Sequence, residues 1–594
     1  MMSQLSMWLV VAALGQQTPA ATPWLDSVPA EADVVIRVRG LEGVQKDLDA
    51  MLKAMSPTLA GAAGPALAQQ LSAFRASYGQ DAASRPFLTL MRVVTPENPG
   101  APPFAIVVQS SDYDAVLKSA GGGQAPKLQR EAGGYDSFAR PDGSNWYAAK
   151  GAGLVAFGAD KTLVAGFAKP GSKALGKTIA PALLRRFNAG DVGVYVNAAA
   201  LATRYADQIA GAKQMMMQTL DQAGAQMGPG VDMAKKIWGG MFDSLQVADA
   251  LALSLDFAAE GLGIDSNLMV KAGSDAAKSI AAAQPGDAAS LAKLPGDFAY
   301  YVYMSLDAKA FDKLQAMGLS MMSPNAKPTP EMTAALAKLD GLGRVESTGA
   351  TSIGGGMKTF NVAVTSDPKK LFDTTLAALK AIKGSDSPLM VFKDVVITPE
   401  AEKYAGFTFA RSEMTLDPDK IAKSQPGNPN AVKSMMDMFG GSDKVTSWIG
   451  VDAKRLVQVN APSWDQAKAQ IDAYLKGTGG LGDAAGFRAA RARLPERASF
   501  LGLFSAQGFV RQMVAMMAMN PAAAAAPPAT DMPKEPAFIA ASLTPMPPTG
   551  YEFHLYVPSP VGAVIEKGLL PVIQGMRGGA PAAAPGANQI RPNP

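Results

Sequence analysis

The segment Gly171-Ser172-Lys173-Ala174-Leu175-Gly176-Lys177-Thr178 has the spacing of a phosphate-binding loop. In such a loop the glycines let backbone N–H groups close around phosphates, the lysine reaches the terminal phosphate, and the hydroxyl ligates magnesium. Asp256, after an apolar run, has the chemistry of the acid that would hold that metal. The surroundings do not match, because Asp160 to Ala168 (DKTLVAGFA), just upstream, reads as a helix. Gly171, Gly176, Lys177 and Thr178 are therefore read as a chance match, and no cofactor is expected. Ser290 and Lys293 have the spacing of a penicillin-recognising pair, but the companion Ser-Asp-Asn and Lys-Thr-Gly elements are missing.

The chain has no cysteine and a single histidine, His554. Disulfides, thiolate metal sites, cysteine nucleophiles and a lipid-modified cysteine anchor are thereby excluded. A Ser-His-Asp triad would have to be built around His554. That residue alternates with Phe553 and Leu555 and shares a strand face with Glu552 and Tyr556, which predicts a histidine on a solvated face. No catalytic residue can be named, and the chain is read as a non-enzyme with no metal site.

Methionine is abundant, with 31 residues. Met215 and Met216, Met321, Met435 and Met436, and Met513, Met516 and Met517 fall on stretches read as helices. Thioethers ligate Cu(I) without cysteine or histidine, and methionine also makes pliable apolar surfaces that accept varied ligands. Ordinary core filling is the simplest reading. An apolar groove lined by these eight residues is the functional alternative.

The elements that must carry such a groove are repetitive. Four segments share one order: an apolar residue, usually a proline, a polar turn, an apolar strand and then a helix. They begin at Val28-Pro29, Phe187-Asn188, Leu294-Pro295 and Leu494-Pro495. In the first, Val34, Ile36 and Val38 alternate with Val35, Arg37 and Arg39, which predicts a strand with its charges facing solvent. Leu41, Val44, Leu48, Met51, Leu52 and Met55 then follow at helical spacing. A hairpin over Asp249–Lys271 is matched by one over Ala537–Val557. A strand–helix step at Phe104–Leu117 is matched at Phe360–Leu379.

The grammar at Pro29–Val38, Pro295–Met304 and Phe104–Leu117 (FAIVVQSSDYDAVL) resembles that of exported bacterial proteins of unknown function. The resemblance covers most of the chain and implies export and an α+β fold, without supplying catalytic residues.

Met7 to Leu14 (MWLVVAAL), followed by small residues, predicts an export signal over 1–21. Two similar α+β lobes are expected at 24–288 and 291–576, each a mainly antiparallel sheet with amphipathic helices on one face. A low-complexity loop at 521–536 and a disordered tail at 577–594 complete the organisation. The 55 basic and 51 acidic residues are dispersed, so no nucleic-acid surface is expected. No later stretch has the length of a transmembrane helix. The expectation is an exported, periplasmic or extracellular scaffold or binding module, its partner an unknown protein or envelope component. The alternatives are a carrier of an apolar ligand such as lipid and, third, an enzyme of unassigned chemistry.

Overall fold

The computed structural model describes residues 23–78, 84–93, 103–169, 174–227, 245–307, 330–339, 341–352, 357–383, 392–424, 439–518 and 532–569, with isolated positions in 235–243 and 432–436. The expected signal, the tail and most of the 521–536 loop lie outside the described residues.

Helices and strands are mixed around one large antiparallel sheet. Its first ten strands are β1 (Val34–Val38), β2 (Phe87–Met91), β3 (Phe104–Gln109), β4 (Gln129–Arg130), β5 (Asp136–Ala139), β6 (Asn145–Gly151), β7 (Leu154–Gly158), β8 (Val192–Val196), β9 (Ala248–Ala258) and β10 (Gly261–Val270). The other ten are β11 (Tyr300–Asp307), β12 (Arg344–Ser352), β13 (Lys358–Thr365), β14 (Phe392–Tyr404), β15 (Phe407–Leu416), β16 (Lys444–Val451), β17 (Arg455–Asn460), β18 (Phe500–Ser505), β19 (Phe538–Met546) and β20 (Gly550–Pro558).

From one end to the middle the order is β4-β5-β6-β7-β3-β2-β1-β8-β9-β10. It continues β20-β19-β18-β11-β12-β13-β17-β16-β15-β14. The β10–β20 ladder, from Gly261↔Pro558 to Met269↔Gly550, is the seam between these two series. Among the described residues the sheet does not close.

Local bonds recur at matching places in the two series. Leu175 N donates to the Val28 carbonyl at 2.8 Å, and Leu481 N to the Leu294 carbonyl at 2.7 Å. Asp112 caps the helix Tyr113–Ala120 after β3, and Asp367 caps Pro368–Ala381 after β13. Each carboxylate takes up a backbone N–H that the first helical turn leaves unpaired. Asn197 accepts from Ala200 N at the end of β8, and Ser505 from Gly508 N at the end of β18.

Helices cover both faces of the sheet, which corrects the one-face expectation. Against one face of the first series, Leu88, Val107, Ala156 and Tyr195 pack with Leu163, Phe167, Leu183 and Phe187 from the helices Lys161–Ala168 and Pro181–Asn188. Against the other, Ile106, Val108, Val155 and Phe157 pack with Val116 and Leu117 of Tyr113–Ala120. The second series repeats this. Tyr301, Phe360 and Val457 meet Ile471 of Trp464–Lys476, while Val345, Ala363 and Ile449 meet Leu371 and Phe372 of Pro368–Ala381. A strand such as β7, buried at all five positions, needs cover on both sides.

Strand β1 faces the opposite way from expectation. Val35 and Arg37 are buried, while Val34, Ile36 and Val38 are half-buried. The Arg37 guanidinium donates to the carbonyls of Phe187 (3.0 Å), Ala189 (2.8 Å) and Gly190 (2.8 Å). These groups end the helix Pro181–Asn188, where unpaired carbonyls favour a cation. Burial and neighbouring Arg39, partly offset by Asp191, lower the Arg37 pKa to about 10.

At the sheet ends, β4 has two residues and β14 has thirteen. The β14 ladder is irregular between Thr398 and Glu402, and Glu400 adopts φ 48° there. Lys393, Asp394, Glu400, Glu402 and Lys403 lie along this strand.

Candidate functional site

Three of the four residues named in the phosphate-loop match are described. Gly176, Lys177 and Thr178 lie in the four-residue helix Leu175–Thr178, where Thr178 Oγ1 donates back to the Leu175 carbonyl at 3.1 Å. A Cβ on Gly176 would come within 2.5 Å of Asp26 Oδ1, so this glycine permits close packing against 23–27. Gly171 lies outside the described residues. Ser290 Oγ is 2.5 Å from Thr348 Oγ1.

His554 does not sit on a solvated face; its side chain is 13% exposed. The helix Pro181–Asn188 lies over the seam and is started by proline at its first turn. Leu183 and Phe187, four residues apart, enter the core; Arg186 reaches the seam, and the Ala182 carbonyl accepts from Asn267 Nδ2. Arg186 bonds Asp265 Oδ2 at 2.9 Å, Glu552 Oε1 at 2.5 Å and Asn267 Oδ1 at 3.2 Å. His554 Nδ1 is 2.7 Å from Asp265 Oδ1, and its Nε2 is 3.3 Å from Glu552 Oε1. Burial opposes the charging of this imidazole, but Asp265 and Glu552 outweigh it and hold its pKa up at about 9. His554 foremost, then Arg186, draws the Glu552 pKa below its usual range against the effect of burial. Both shifts favour the charged forms, an imidazolium at His554 beside an ionised Glu552.

The register completes a Ser-His-Asp row, with Ser542 opposite His554 on one side and Asp265 opposite it on the other. Its chemistry does not follow. A general base must be free to accept a proton, and Asp265 and Glu552 raise the pKa of this imidazole toward its charged form. The Ser542 hydroxyl is completely buried. Beside the row, a cavity of about 130 Å³ is floored by Gly261 and Gly263 and walled by Asp256, Arg493, His554 and Tyr556. It borders the ionic cluster and has little apolar wall.

A second and larger concavity, of about 550 Å³, lies beside the helices Ala198–Arg204 and Ala206–Met227. Their shared base is fixed at Asp33, which is fully buried. Asp33 accepts from Arg204 Nη1 at 2.5 Å, the Tyr205 hydroxyl at 2.9 Å and Val93 N at 3.0 Å. Ala206, Ile209, Ala210, Met217, Phe242 and Leu245 supply apolar walls, with Lys213 and Lys271 alongside. Lys213 pairs with Asp243 at 2.6 Å, and Lys271 Nζ donates to the Gln246 carbonyl at 2.6 Å.

Of the eight methionines expected to line a groove, Met215 and Met216 lie on this helix; Met215 is 66% exposed. Met217, which was not among the eight, lines the concavity. Met436 packs with Phe392, Met414 and Ile421 in a separate cluster. Met513 is half-buried on Ala506–Ala518. Met321 and Met435, and the side chains of Met516 and Met517, lie outside the described residues. The sequence signal for the concavity was the alanine- and methionine-rich composition of 198–227, while the seam cluster had no local signal. Among the described residues no helix is long and apolar enough to cross a membrane. Comparisons with protein-family models, curated proteins and solved structures find no match for this chain.

Proposed function

We propose that this chain is an exported, non-enzymatic binding protein of the bacterial envelope, built from two copies of one α+β unit, and that it carries an apolar ligand such as a lipid. The observation that carries the binding reading is the concavity of about 550 Å³ beside Ala206–Met227, walled by Ile209, Met217, Phe242 and Leu245. Its size and composition fall in the range of small-molecule sites. Duplication into 24–288 and 291–576 is supported by ten strands in one order on either side of the seam, and by paired caps such as Asp112 and Asp367. The raised His554 pKa, beside Asp265 and Glu552, supports the non-enzymatic reading.

Native mass spectrometry and lipid extraction of protein from its own host test the carrier reading. A co-purifying apolar compound is expected, and a clean apo protein overturns it. The second reading, a scaffold for another protein, is favoured by the continuous sheet spanning both units. A protein partner recovered with no small molecule would select it. Sequencing of the mature N-terminus tests export.

A further inference from the structure

We infer that the ligand of the Ala206–Met227 concavity is a single-chain amphiphile with an anionic head. This rests on the binding-protein reading above and adds the charge of what is bound. The walls at Ile209, Met217, Phe242 and Leu245 offer no hydrogen-bonding group, so the part of a ligand lying against them is hydrocarbon. One concavity of about 550 Å³ suits one chain.

Among the described residues the charges beside it are unbalanced. Lys213 is compensated by Asp243 at 2.6 Å. Lys271 has only the Gln246 carbonyl, also at 2.6 Å, and no acidic partner among the described residues. An ammonium whose partner is a neutral carbonyl keeps its full charge for a second partner. A carboxylate or phosphate head at the mouth of the concavity supplies that partner. Gln214 and Gln246, which also line the concavity, offer amide donors to the same head. A cationic head would instead meet Lys271 as a like charge.

The test is equilibrium dialysis of the full chain, below micelle-forming concentrations, with dodecanoate, dodecyl phosphate, dodecanol and dodecyltrimethylammonium. Both anionic probes should bind about two- to fivefold tighter than dodecanol, the scale of one exposed charge pair. The cationic probe should bind weakest. In Lys271→Ala the anionic advantage should vanish with dodecanol affinity unchanged, and Lys271→Glu should favour the cation. Equal binding of dodecanoate and dodecanol, or no effect of Lys271→Ala, overturns the anionic head and leaves the binding reading standing. Failure of every probe to bind, or binding unchanged by Ala210→Trp, overturns the concavity as a binding site altogether.

Discussion

Asp265 and His554 face each other at the middle of the sheet, each the fifth residue of its strand, with Nδ1 2.7 Å from Oδ1. The two strands pair antiparallel around this point. A seam with the same residue on both sides would set two carboxylates together, whereas histidine in the second series turns the contact into an ion pair. His554→Asp should cost about 3 kcal/mol or more, because like charges would meet in a partly buried row. Urea denaturation of the variant and parent measures this.

Alkaline pH should weaken the fold through the same residue. The imidazole titrates at about 9 when folded, against an ordinary value of 6.5. Its contribution is thus fully present below pH 6.5 and is lost as pH rises through 9. The loss should be on the order of 3 kcal/mol by the scale of one pKa unit. Urea midpoints measured between about pH 6 and 10 should fall, and His554→Gln should flatten that limb. Glu552 acts in the opposite sense: its contribution is present above its ordinary pKa and is lost as acid reaches its lowered value.

Arg186→Met should destabilise by about 3–5 kcal/mol, because it leaves Asp265 and Glu552 with His554 as their remaining cation in a half-buried site. Its effect should be strongly non-additive with that of Glu552→Gln, since both residues belong to one network. A double-mutant cycle read by denaturant unfolding checks the coupling.

Arg37→Met should cost about 3 kcal/mol, since three carbonyls lose their donor. Lysine should not restore it, because an ammonium lacks the planar fork that reaches them together. Gly193→Ala strikes the same place from β8. Its Cβ would lie 1.9 Å from the Phe187 carbonyl oxygen and 3.3 Å from Arg37 Nε, so a comparable loss is expected in thermal unfolding.

Asp112→Ala and Asp367→Ala should each cost about 1 kcal/mol, the usual worth of an N-cap. The capped helices lie in different strand series, so the double variant should show the sum. Denaturant titration of the three variants tests this.

Elements with strong local signals were legible in the sequence. The strand Phe104–Gln109 and the helix Leu41–Met55 lie where apolar spacing put them, and the hairpin read at Asp249–Lys271 is β9–β10. The short strands β4 to β7 were not read, because residues such as Gln129–Arg130 carry no period of their own. The facing of β1 is the reverse of what its charges suggest. Arg37 is buried to meet carbonyls 150 residues away, which no local pattern records. His554 was misplaced for the same reason, as Asp265 lies 289 residues off and Arg186 comes from a third element. The concavity was half legible: the methionine-rich helix was singled out, but only Met217 of that run reaches the wall.

The two ends of the sheet have a consequence for crowded conditions. One ends in a two-residue strand and the other in a strand interrupted at Glu400 and studded with lysine and acid. Both margins are thereby blunted against pairing with a neighbour's backbone. A ribbon that elsewhere adds strand upon strand therefore stops within one molecule, and concentrated solutions should scatter light as discrete particles rather than lengthen into fibrils.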